Sequence, residues 1–165
     1  MPHTVVLYGA MKSSLCVVVL AALALVGCGG GERLTKEEYL ERGREIQVST
    51  SLIDAGRLFF RLSAGRVSAE ECQDGTGRFR DAAASVVAEV DEIRPPQEIE
   101  QIHDRLVAAA QESIDALDGL VDDVSAGEVS CGQEWNRRAY GLASTERAQA
   151  VLKELEQQGY DFIGE

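Results

Sequence analysis

The sequence predicts an all-α protein: an antiparallel four-helix bundle, built as one domain behind an N-terminal leader and a short glycine tether. Four amphipathic stretches of about 25 residues, with apolar positions spaced three and four apart, follow one another with only short turns between them. Three of them open on a Ser/Thr-x-x-Glu/Gln pattern, which marks a capped helix start. Aromatic residues make up only 5% of the chain while alanine, leucine and valine abound, a balance that favours helices over a β-sandwich.

Residues 1–10 carry no lysine or arginine. Met11-Lys12-Ser13-Ser14 supplies the short basic start that a signal peptide needs, and an apolar run from Leu15 to Val26 follows. That run is too short to span a bilayer comfortably. It ends in Leu25-Val26-Gly27-Cys28. These four residues resemble the lipobox of bacterial lipoproteins, in which the leader is cut just before a cysteine that carries lipid. The basic start points to translation from Met11, and the resemblance implies cleavage after residue 27, a lipid anchor on Cys28 and a domain on the extracytoplasmic face of the cell membrane. Two or more acyl chains hold a protein there stably. Gly29-Gly30-Gly31 reads as a flexible tether, because three glycines cannot pack and resist ordering. The chain thus divides into a leader (1–27), a lipidated cysteine and tether (28–34) and a helical domain (35–165).

Helix one begins at Thr35, where Thr35-Lys36-Glu37-Glu38 has the form of a capping box. Tyr39, Ile46, Ile53 and Phe60 recur every seven residues, and Leu52, Phe59 and Leu62 widen the stripe toward a second face. Gly65 suits its end. Helix two opens on Ser68-Ala69-Glu70-Glu71 and carries the cleanest seam: Cys72, Thr76, Phe79, Ala83, Val86, Val90 and Ile93. Pro95-Pro96 stops it and starts helix three. The buried face of helix three is Ile99, Ile102, Leu106, Ala109 or Ala110, Ser113, Leu117, Leu120 and Val124, with Gly127 beyond its end. Ser130-Cys131-Gly132-Gln133 looks like a third cap. Helix four then runs to about Gln158, burying Trp135, Leu142, Leu152 and Leu155. Tyr160, Phe162 and Ile163 form an apolar tail able to dock on the bundle. A three-helix core with helix one loosely attached is the alternative arrangement.

Once Cys16 leaves with the leader and Cys28 takes lipid, Cys72 and Cys131 remain. Each lies near the start of a helix, and in an up-down-up-down bundle those two starts fall at the same end, away from the tether. A Cys72–Cys131 disulfide clasping that tip is expected in a compartment where disulfides persist. Two buried free thiols are the rival reading.

Residues that carry chemistry are scarce. Glu100-Gln101-Ile102-His103 is the Glu-x-x-His unit of di-iron bundles, but His103 is the one histidine beyond residue 27, and such sites need two units. His103 is expected at the edge of the buried stripe. No metal or other cofactor is predicted: haem lacks its attachment motif and a methionine partner, and zinc lacks ligands at one end of the bundle. Asp115, Asp118, Asp122 and Asp123 read as a solvated face, compensated in part by Arg66, Arg137 or Arg138. Beyond residue 27 the chain holds 15 Lys+Arg against 28 Asp+Glu, a net charge of −13 that opposes nucleic acid and anionic headgroups as partners.

Leu34-Thr35-Lys36-Glu37-Glu38 soon after the lipobox, Pro95-Pro96-x-Glu98 opening a helix with His103 and Leu106, and the late Cys131 together resemble small, uncharacterised lipoproteins common in actinobacteria. Many of those place a cysteine in the first helix, where this chain has Ile46-Gln47-Val48. The resemblance implies no activity. The expectation is a non-enzymatic, membrane-anchored extracytoplasmic protein that binds or scaffolds another envelope component. A carrier holding a small molecule or lipid between helices, beside Ala82–Ala84 and Ala108–Ala110, is the alternative.

Overall fold

A computed structural model describes residues 33–140 and 143–162, the side chains of 143–145 excepted. The leader, Cys28, the glycine tether, Leu142 and Ile163 lie outside the described residues. Among those described, the chain is all-helical: α1 (Lys36–Gln47), α2 (Thr50–Ser63), α3 (Ala69–Asp91), a 3-10 turn (Gln97–Ile99), α4 (Glu100–Ser125), α5 (Gln133–Tyr140) and α6 (Ala143–Gln157).

Both predicted acidic capping boxes form. The Glu38 and Glu71 amides donate to the hydroxyls of Thr35 and Ser68, and each glutamate accepts the cap residue's own N–H in return. Ser130 plays no such part: α5 begins three residues later, and the Gly132 carbonyl accepts from the Asn136 amide.

Helix one departs from expectation. It breaks after Gln47, where Val48 leaves the helical region and Ser49 starts a new helix by accepting from the Leu52 amide at 3.2 Å. Val48-Ser49-Thr50 combines β-branched residues with a preferred cap, so a second start there is cheap. The break shifts the buried phase. Tyr39 and Ile46 are in the core as expected, but beyond the break Ala55, Phe59 and Leu62 are buried, while Ile53 and Phe60 face outward. Helix four is likewise described as two helices, α5 and α6.

All seven expected positions of the α3 seam are buried. Gly75 belongs there because a Cβ would meet the Leu62 side chain at 2.7 Å: the absent side chain lets α2 settle onto α3. The Pro95-Pro96 corner leads first into the 3-10 turn and only then into α4, whose buried face matches the expected one with His103 and Ile114 added. α4 ends at Gly127 with the Gly127 and Glu128 amides returning to Val124 and Asp123, the paired bonds of a Schellman stop.

Two buried clusters share α3 and α4. One joins Tyr39 and Ile46 of α1 to Val86, Val90, Leu106, Val151 and Leu155, and is closed by Tyr160 and Phe162 of the tail. The other joins Phe59 and Leu62 of α2 to Cys72, Phe79, Ile114, Leu117 and Trp135. So α1 and α6 serve one half of the core, and α2 and α5 serve the other. No described helix is long and apolar enough to cross a membrane.

Candidate functional site

Cys72 sits in the first turn of α3 and Cys131 just before α5, and the two form a disulfide with Cα atoms 5.7 Å apart. The rival reading of free thiols is set aside. Two backbone turns press together beside this bond: a Cβ on Gly65 would lie 2.9 Å from the Gly132 Cα, and Gly65 has a φ of +65°. Any side chain there would face both a backbone clash and a left-handed conformation.

Below the bridge, polar groups are fully spoken for. Trp135 Nε1 donates to Thr76 Oγ1 at 3.0 Å, and that hydroxyl donates to the Cys72 carbonyl at 2.7 Å. Phe59 and Phe79 pack against the indole at centroid distances of 5.5 Å each. An indole N–H buried without an acceptor would be costly, so Thr76 fixes where Trp135 can sit.

At the other end His103 is not on the edge of the stripe. It is only 2% exposed, with Nδ1 3.1 Å from the Tyr39 hydroxyl. Nε2 is buried and has no hydrogen-bond partner among the described residues. Burial holds the imidazole below the usual histidine range; Asp104, the Val90 carbonyl and Asp91 pull the other way without prevailing. The neutral ring with its proton on Nε2 fits the Tyr39 contact, since Nδ1 then accepts from the phenol. Burial also pushes the Tyr39 phenol up, so it remains a donor. Tyr39 meets Tyr160 edge-on at 5.6 Å and Phe162 at 5.6 Å, and Lys36 lies 4.8 Å over the Tyr160 ring. The tail is pinned by Gln47 Nε2 donating to the Phe162 carbonyl and by the Tyr160 hydroxyl donating to Glu98.

Glu100 and His103 do not converge. Glu100 pairs with Arg33 at 2.7 Å, whereas His103 turns inward to Tyr39. Among the described residues no three His, Cys, Asp or Glu side chains gather in a metal-holding group. Of the aspartate row on α4, Asp118 takes two bonds from Arg80 and Asp123 one from Arg138, one of the three arginines expected there. Asp115 faces Gln111 at 3.4 Å. The Tyr39–His103–Tyr160–Phe162 cluster was not visible in the sequence, because its members come from three elements far apart along the chain.

Comparison with family models, with curated proteins and with solved structures finds no match.

Proposed function

We propose that this chain is a membrane-anchored, extracytoplasmic protein, held by lipid on Cys28, that binds or scaffolds another component of the cell envelope and performs no catalysis. The observation that carries this reading is the Cys72–Cys131 bridge. Disulfides persist in oxidising compartments and are rare in the cytosol, so the bond supports an address outside the membrane. Leu25-Val26-Gly27-Cys28 at the end of an apolar run supports the lipid anchor. The His103 imidazole is engaged by Tyr39 and shielded from solvent, a setting suited to packing rather than to turnover. The proposed arrangement is an antiparallel four-helix bundle. In it α1 with α2 forms one rod, α3 and α4 two more, and α5 with α6 the fourth, and the tether leaves from the Tyr39 end.

Native mass spectrometry of the protein extracted from its own membrane in mild detergent tests this. A diacylglycerol-sized mass on Cys28 and a second protein retained with it is the expected result. A chain that keeps its leader and carries no lipid would overturn the anchor, and a retained small molecule would replace the scaffold with a carrier.

A further inference from the structure

The −12 net charge of the chain is unevenly spread. Residues 33–68, which form α1, α2 and their turns, carry seven lysines and arginines against five aspartates and glutamates, a net +2. Residues 69–162 carry eight against twenty-one, a net −13. The positive excess comes from the stretch 48–68, where Arg57, Arg61 and Arg66 oppose Asp54 alone.

That same stretch holds every large apolar side chain found exposed among the described residues: Val48 at 72%, Ile53 at 43% and Phe60 at 46%. Ile53 and Phe60 are seven residues apart and share one side of α2, with Arg57 between them. The core-facing residues Ala55, Phe59 and Leu62 lie on the opposite side. Burying Phe60 elsewhere in this molecule would require α2 to rotate out of its contact with Gly75. So α2 has two apolar faces, one used and one bare, and the bare one is bordered by cations. The arginines are held only by exposed pairs, Arg57 with Asp54 at 3.4 Å and Arg61 with Glu71 at 2.6 Å, which exchange readily for another anion.

We infer that the outer face of α2 rests on an anionic membrane surface, with Val48, Ile53 and Phe60 entering the headgroup region and Arg57, Arg61 and Arg66 meeting lipid phosphates. Apolar side chains bordered by arginine are how amphipathic helices bind the bilayer interface. This rests on the anchored reading, under which the five residues from Cys28 to Arg33 reach at most about 17 Å. The start of α1 is then never far from the bilayer. The whole-chain charge that opposed anionic lipids does not apply to this face. Instead, the charge division orients the molecule: the basic side turns to the membrane and the acidic helices α3 and α4 turn to the envelope space, where a partner would meet them.

The test uses the lipidated full chain with Phe60→Trp, a half-exposed site whose ring meets the core only edge-on at Phe59. The protein is reconstituted in vesicles of phosphatidylcholine alone or with an equal share of phosphatidylglycerol, each brominated on the acyl chains. Trp135, fully buried, gives a constant background measured on the unsubstituted chain. The expected result is quenching of the new indole in the anionic vesicles, relieved by salt. The docked fraction over the undocked should fall roughly fivefold for each of Arg57→Gln and Arg61→Gln, since each arginine near such a surface contributes about 1 kcal/mol. On the unsubstituted chain, amides 50–63 should gain hydrogen-exchange protection only in the anionic vesicles. Flotation with both vesicle types and no quenching in either would overturn the docked face while leaving the anchor standing. If Cys28 proves unlipidated and the chain does not float on neutral vesicles, the anchored reading fails. Quenching on anionic vesicles would then still support the face, and its absence would overturn it. An unquenched indole together with crosslinks from α2 to a second protein would overturn it in favour of a protein partner.

Discussion

The core around Trp135 and the core around Tyr39 are built on the same two long helices, yet they are closed by different chemistry. Around Trp135 a disulfide joins two turns, and the buried donors end on acceptors: indole to Thr76, Thr76 to the Cys72 carbonyl. Around Tyr39 no covalent cross-link between elements is present among the described residues. Closure there depends on a tail, a cation over a ring, and an imidazole that must stay neutral. The first end is therefore expected to respond to reductant, and the second to mild acid.

The largest expected effect breaks the Trp135 end. Replacing both cysteines by serine, or reducing the bond, should lower unfolding stability by about 4 kcal/mol for a loop of this length, read as a shifted denaturant midpoint. Protection around Trp135 should fall more than around Tyr39.

The next effects fall on the Tyr39 end. Tyr39→Phe removes the donor to His103 and should cost about 1–2 kcal/mol, measured by the same unfolding curve. The pH dependence has a definite sign. The His103 pKa is lower in the folded chain than in the unfolded one, so the unfolded chain binds more protons as pH falls. Its contribution is fully present above the ordinary histidine value of about 6.5 and is lost as pH drops below it. Hydrogen exchange of α1 amides at pH 7.5 and pH 5 should show loosening of α1, while α2 and the start of α3 keep their protection. His103→Gln should flatten that dependence. Equal loosening at both ends would show that the two halves of the core open together.

The smallest effect sharpens the contrast. Lys36→Ala removes the cation over Tyr160 and should cost about 0.5–1 kcal/mol, with the loss confined to the tail and α1.

Much of the fold was legible because its signals are local. The two acidic capping boxes, the α3 seam and the stop at Gly127 each depend on residues within a few turns of one another. The disulfide was legible because only two cysteines follow residue 28. The break at Val48 was masked by a seven-residue repeat that runs straight through it: Ile53 and Phe60 continue the pattern of Tyr39 and Ile46, yet the helix carrying them faces the core with other residues. Ser49 was the available signal, a good cap behind a β-branched residue. His103 was misplaced because its burial is decided by Tyr39, 64 residues away. The charge division was in the sequence throughout but cancels in any whole-chain count.

The contact between Gly65 and Gly132 bears on how the disulfide is made and kept. Two turns that touch through bare backbone hold Cys72 and Cys131 as immediate neighbours, although 59 residues separate them along the chain. Each sulfur then experiences the other at an effective concentration no soluble thiol can match, so an external thiol that opens the bond is expelled quickly by the partner cysteine. A methyl group at position 65 would push the turns apart and dilute one sulfur with respect to the other. The bond would then become exchangeable with its surroundings, even with every core residue unchanged.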